Sequence, residues 1–311
     1  MRRHLIVGAV ALLLLPAAGA AFTARVQRAT LADGTRIAWY ERGSGPPLLM
    51  NMGSASTMSE WDPLLVRELA RTHRLIMWDY RGIGLSSARG LSGLTMDRMA
   101  DDAAGLLTAI GVGRADVLGW SLGGFVTQRM AVRHPDRVRR VVLAGTNAGG
   151  PTVVLGPEWA QAVDSDPDRG DAAVMRVLYP PTPQGRAAAR AFLSRLDTAS
   201  ESGEIPDDFR VSTAGFRAQL AAERRWMAST ANPRQLRTLR TPVLVAGGTL
   251  DVLTPPANDR ILARQIPGAR RAVWPRGGHA FLFQFAPSFA GRVHDFLAAP
   301  LAPPASNTVG P

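Results

Sequence analysis

The sequence predicts an α/β fold: a mostly parallel, doubly wound sheet interrupted by a helical insertion. Three observations point there. Short apolar strand runs alternate with amphipathic helical runs over about 26–146, and a strand pattern resumes at 243. Between about 147 and 240 the alternation breaks, and Ala, Arg and Asp dominate with Pro and Gly punctuation. A Gly-x-Ser-x-Gly turn sits between a strand run and a helix run. Apolar strands separated by amphipathic helices imply a parallel sheet buried on both faces, because each crossover lays a helix on the sheet.

In chain order, Arg2 and Arg3 precede an apolar run over 5–15, Pro16 breaks it, and Ala18-Gly19-Ala20 follows. That is the charged, apolar and small-residue pattern of a secretory signal, with a run short for a membrane span. The expected location is secreted, periplasmic or cell-envelope, with tethering by an uncleaved signal as the alternative. After cleavage no stable membrane anchor is expected.

Strand character over 35–40 stops at the turn run Gly43-Ser44-Gly45-Pro46. Strands are expected over 47–51, 74–78, 116–119 and 138–144. Helices are expected over 62–72, 96–110 and 122–133, the second ended by Gly111 and the third near Pro135. In the insertion, helical spacing recurs over 172–178, 185–196 and 214–229. Strands follow at 243–246 and 272–274, then a helix over 288–297. The expected organisation is a signal at 1–20, a core at 21–146 and 241–297, a helical insertion at 147–240, and an Ala/Pro-rich disordered tail at 298–311.

Composition narrows the chemistry. The 311 residues include 36 basic residues, all arginine, against 25 acidic ones, for a formal charge of +11; there is no cysteine and no lysine. Disulfide frameworks, thiolate metal sites, cysteine nucleophiles, Schiff bases and P-loop lysines are therefore excluded. Hydrophobic content of 46% with 20% charge fits a globular chain. The arginines are dispersed and not interleaved with aromatics, so no nucleic-acid partner is expected.

Gly119-Trp120-Ser121-Leu122-Gly123 carries the strongest chemical signal. A tight strand-to-helix turn pushes the Ser121 hydroxyl to the sheet edge, and the helix N-terminus favours developing negative charge. With this turn inside an alternating strand–helix chain, the sequence resembles the α/β-hydrolase family, as a serine-nucleophile member with a helical cap. The resemblance spans about 26–297.

It implies a general base and an orienting acid in the order Ser, acid, His. Five histidines are available. His4 lies in the signal, His73 reads as a solvated helix end, His134 as a helix C-cap, and His294 belongs to the last helix. His279, after Gly277-Gly278, occupies the family's base position. Asp251, after the 243–246 strand, occupies the acid position, and Asp259 reads as a surface residue. The alternative acid position, after 138–144, holds no carboxylate; Asn147 is the nearest polar residue.

The family's oxyanion hole implies backbone donors at Leu122 and Ser54. Met52-Gly53-Ser54 stands where relatives often carry His-Gly. Asp79-Tyr80-Arg81-Gly82-Ile83-Gly84-Leu85-Ser86 resembles a structural loop of the family, with Asp79 and Arg81 expected to pair. Trp61, Trp120, Phe216 and Trp226 are pocket candidates, as are Phe192, Phe209 and Met227; packing inside the protein explains each of them as well. No cofactor and no metal are implied. The expected activity is hydrolysis of a small or medium ester or lactone. Perhydrolysis, carbon–carbon bond hydrolysis and non-catalytic ligand binding remain alternatives. No oligomeric state is assigned.

Overall fold

A computed structural model describes residues 22–300. The signal pattern at 1–20 and residues 301–311 of the tail lie outside the described residues. Among the described residues eight strands form one sheet: β1 Gln27–Thr30, β2 Arg36–Arg42, β3 Pro47–Asn51, β4 Arg74–Trp78, β5 Ala115–Trp120, β6 Val138–Ala144, β7 Val243–Gly248 and β8 Arg270–Trp274. Their order is β1-β2-β4-β3-β5-β6-β7-β8. β1 and β2 run antiparallel, and every pairing from β4 to β8 is parallel. β1 was not expected, because an exposed edge strand carries little apolar alternation; it pairs Gln27 with Trp39.

Three helices cover the first half of the sheet: α1 Pro63–Leu69, α2 Met96–Ala109 and α3 Leu122–Arg133. Asp62 caps α1 by accepting from Leu64 N, and Thr95 caps α2 by accepting from Arg98 N. Five helices lie between β6 and β7: α4 Glu158–Ser165, α5 Asp171–Leu178, α6 Pro183–Glu201, α7 Thr213–Ala228 and α8 Ala231–Leu236. α4 and α8 were not read from the sequence; α4 buries only Ala160 and α8 is a six-residue helix. Arg195 of α6 reaches the buried Asp62 carboxylate, 2.9 Å from Nε to Oδ1, tying the insertion to the core. α9 Ala257–Gln265, α10 Phe281–Gln284 and α11 Ala286–Ala298 complete the chain, with α11 packed on α1 and α2 packed on α3.

Two sequence expectations are corrected here. Asp79 and Arg81 do not pair. Arg81 forks onto the buried Asp102 of α2 and also reaches Asp33. Asp79 instead accepts backbone N–H groups of Met58 and Leu85, at 2.7 and 2.8 Å. Loop backbone offers Asp79 two donors at once, whereas the arginine fork fits a carboxylate across the helix. His73 is buried rather than solvated and stacks on His294, ring centroids 5.8 Å apart. Burial holds its pKa below the usual histidine value.

Parallel strands end at the same edge of the sheet, so the loops after β3, β5, β6, β7 and β8 converge there. Ser54, Ser121, Gly145, Asp251 and His279 all lie on these loops.

Candidate active site

Ser121 occupies the single residue between β5 and α3, with φ 55° and ψ −121°. L residues rarely adopt that conformation, so the surroundings must enforce it. The Ser121 N–H donates to Ala144 O at 3.0 Å. Its carbonyl accepts from Gly124 N at 2.8 Å and from the Thr146 hydroxyl at 2.8 Å. The flanking glycines are required by close approach. A Cβ on Gly119 would lie 2.2 Å from Gly123 O, and one on Gly123 would lie 1.9 Å from Asn51 O.

His279 and Asp251 meet across the edge of β7 and β8. Nδ1 of His279 lies 2.8 Å from Asp251 Oδ2. With Nδ1–H donating to the carboxylate, Nε2 is left as the ring's acceptor. Asp251 is held from several sides. Oδ1 accepts from Leu253 N and Thr254 N, each at 2.9 Å, and Oδ2 accepts from the Thr254 hydroxyl at 2.8 Å. Trp120 Nε1 donates to the His279 carbonyl at 3.0 Å, and the two rings lie 5.3 Å apart. Gly145, at φ 52°, leaves room beside this pair: a Cβ there would sit 3.4 Å from both Asp251 Oδ2 and His279 Nδ1. The Asn147 side-chain oxygen is taken up elsewhere, accepting from Trp226 Nε1 at 3.1 Å and Gly149 N at 2.9 Å.

Ser121 and His279 line a common cavity of about 50 Å³ with Gly53, Ser54, Trp120, Asp164 and Arg169. Ser54 lines it with a backbone donor, and Leu122 supplies a second directly after Ser121. Leu122 N–H is the first of α3, and no carbonyl of the same helix can satisfy it. Ser54 N–H has no protein acceptor among the described residues. The next residue, Ala55, sits at φ 50° with its N–H donated to Gln219 Oε1 at 2.8 Å.

Two larger spaces adjoin the cavity. A cleft of about 380 Å³, walled by Phe192, Leu196, Phe209 and Phe216, shares Ser56, Arg169 and Val174 with it. A space of about 540 Å³ shares Ser121, Asp164 and Leu253, and adds Glu223, Met227 and Thr254. Of the pocket candidates, Trp120 lines the small cavity. Phe216 lines the cleft instead, where it packs under Arg169, 5.1 Å from ring to guanidinium. Trp61 is a core residue, wholly buried and edge-on to Phe283 at 6.1 Å. Trp226 stacks on Phe125 at 5.1 Å and borders a separate crevice with Thr95 and Arg129, away from Ser121. Both tryptophans seal contacts between layers, where a large apolar ring is most stabilising.

Asp259 is also corrected. It is buried on α9, and a Cβ on Gly247 would press within 1.9 Å of its Oδ2. Burial first, then the Asp251 carboxylate, pushes its pKa up to about 7. A carboxyl raised this way contributes stability at low pH that is lost as pH climbs from the unfolded value towards about 7. Asp259→Asn therefore flattens the fall in thermal stability between about pH 4 and pH 7. Melting curves across that range check it; an unchanged slope would count against the assignment.

Sequence reading missed Thr254, Asp164, Arg169 and Glu223. Thr254 had a local signal, three residues after Asp251 and able to bond back to it. The other three stand among many charged residues of the insertion, and only packing separates them from solvated neighbours.

Residues 46–286 match the sequence profile of the alpha/beta hydrolase fold, and the chain belongs to that family. Over 277 residues it is 31% identical to the 2-hydroxymuconate semialdehyde hydrolase of Pseudomonas sp. (strain CF600), covering 88% of this chain and 94% of the relative. Among solved structures it resembles an alpha/beta hydrolase fold protein from Chitinophaga pinensis, with a TM-score of 0.76, 27% identity, and 89% and 98% of the two chains covered. It also resembles the enol-lactonase from Burkholderia xenovorans LB400, with a TM-score of 0.70, 25% identity, and 88% and 100% covered. The fold and these relatives support a hydrolase.

Proposed function

We propose that the protein cleaves a small or medium carboxylic ester or lactone through an acyl-enzyme on Ser121. The observation that carries this reading is the His279–Asp251 pair, 2.8 Å apart, bordering the same small cavity as the strained Ser121. His279 Nε2 takes the Ser121 proton as the hydroxyl oxygen attacks the carbonyl carbon. Asp251 holds the ring in the tautomer that allows this and stabilises the imidazolium. Ser54 N–H and Leu122 N–H hold the oxyanion. The tetrahedral intermediate collapses, the leaving alcohol takes the proton from His279, and the acyl ester remains on Ser121. Water attacks the ester by the same route and restores the hydroxyl.

The aromatic and aliphatic wall of the 380 Å³ cleft supports an apolar substituent on one side of the scissile bond. Carbon–carbon bond hydrolysis by the same residues is the second reading, favoured by the 31% identity to a semialdehyde hydrolase. A panel of nitrophenyl esters and lactones, run beside a vinylogous 1,5-diketone acid, separates the two. Ester and lactone turnover that exceeds diketone turnover and vanishes in Ser121→Ala is the expected result. Turnover of the diketone acid alone would replace the first reading by the second. A chain that neither turns over any of them nor reacts with a fluorophosphonate is a binding protein. The signal pattern at 1–20 supports placement outside the cytoplasm.

A further inference from the structure

The cap brings two carboxyl groups to Ser121 that the proposed chemistry does not use. Glu223, on α7, is 9% exposed, and its Oε1 is buried with no hydrogen-bond partner among the described residues. It lines the 540 Å³ space together with Ser121 and Asp164. Asp164, on α4, borders both that space and the small cavity, each of which Ser121 also lines. The Ser54 side chain acts on the Glu223 carboxyl, lowering its pKa against the larger effect of burial.

The other charged groups facing the pair are few. Arg169 follows α4, and its NH1 donates to the Asp164 main-chain carbonyl at 2.7 Å. Its guanidinium lies over Phe216 and forms no ion pair with either carboxylate among the described residues. His279 acts on Asp164 from the sheet edge, and Arg224, on α7 itself, lines the larger space.

We propose that Glu223 is a positioning residue acting through Ser54: its neutral carboxyl keeps negative charge away from the oxyanion loop, and ionising it slows acyl transfer. The inference rests on the serine-hydrolase reading above. Acyl transfer builds negative charge on the substrate oxygen at the Ser54 and Leu122 donors. A carboxylate beside Ser54, buried and with its Oε1 unpartnered among the described residues, opposes that charge. Two carboxyls crowded in such a site do not ionise independently; one retains its proton over a wide range. Burial, with the Asp164 charge added, pushes Glu223 up to about 8, and burial raises Asp164 as well. Glu223 is therefore neutral near pH 7 and ionises above it.

The test reads the ratio of rates at about pH 9 and about pH 7, both for a nitrophenyl ester and for fluorophosphonate labelling of Ser121. In the wild type the ratio falls by an order of magnitude, about tenfold, as Glu223 ionises. In Glu223→Gln the amide cannot ionise and the alkaline fall disappears, whatever the plateau rate. Asp164→Asn removes the neighbouring charge, so the fall begins at lower pH. It provides the test if Glu223→Gln does not fold. An alkaline fall unchanged in Glu223→Gln, or unmoved in Asp164→Asn, overturns the inference. Infrared spectroscopy gives a readout independent of activity. At neutral pH the difference spectrum between the wild type and Glu223→Gln shows the C=O stretch of one protonated carboxylic acid lost in the variant, with the band of other raised carboxyls such as Asp259 cancelling; a difference spectrum without that band also overturns the proposal. If fluorophosphonate labels no serine at any pH, the hydrolase reading fails, while the infrared band still reports the charge state of Glu223.

Discussion

Ser121→Ala abolishes fluorophosphonate labelling and lowers ester hydrolysis by about a thousandfold or more, the scale on which a lost nucleophile is felt. The fold survives, because Ala keeps the Cβ and loses only the hydroxyl. A companion variant reads the strain at this position. Ser121 holds φ 55° and ψ −121°, a region that costs a non-glycine residue about 1–3 kcal/mol. Ser121→Gly is equally inactive but relieves that strain, offset by glycine's larger unfolded-state entropy of roughly 0.5–1 kcal/mol. It therefore melts at or above Ser121→Ala. A Ser121→Gly protein that melts several degrees below Ser121→Ala would mean that the turn holds no such strain. Residual hydrolysis near the wild-type rate in Ser121→Ala would remove Ser121 from the chemistry altogether.

Gly123→Ala has the largest expected effect on stability. Its new Cβ would lie 1.9 Å from the carbonyl oxygen of Asn51 and 2.6 Å from that of Met52. Both obstacles are backbone. Asn51 is the last residue of β3, paired with Gly119 of β5, and its side chain is fixed by Thr127 and Trp78. Nothing there can swing aside, so α3 must lift from the sheet. A cost of about 3 kcal/mol or more follows, beyond the ordinary range for overpacking. Loss of soluble protein, or a collapse of the denaturant midpoint, is the outcome to look for. Gly291→Ala is the control: it lies exposed within α11 with no atom within 4 Å of the added methyl. There the helix gains about 0.5–1 kcal/mol from alanine's propensity. Equal effects at the two positions would show that the close approach at Gly123 is not what requires glycine.

The site was legible where chemistry and local structure coincide. Ser121 carries its own turn. Asp251 and His279 sit just beyond strands, where loops must emerge at one edge. Met52-Gly53-Ser54 follows β3 in the same way. Illegibility began where a charged residue's fate depends on which helix face meets the core. Asp259 reads as a surface residue until α9 is seen to press it against Gly247. Asp79 and Arg81 are two residues apart, yet their partners are Met58, Leu85 and Asp102. Trp61 flanks a motif and Trp226 belongs to the insertion, yet in space both fill interfaces between layers.

The amino-acid sequence by itself determined the alternation of strands and helices, the insertion between β6 and β7, and the strand-to-helix turn at Ser121. These follow from short-range periodicity and from glycine spacing within one turn, which a linear chain displays directly. Only the tertiary structure decided that His279 and Asp251 stand 2.8 Å apart, and that Asp164 and Glu223 line one space with Ser121. Those facts depend on strand order and on the seating of α4 and α7, which bring residues far apart in the chain into one space. There the environment sets which groups carry charge, and so what the hydroxyl found in the sequence can do.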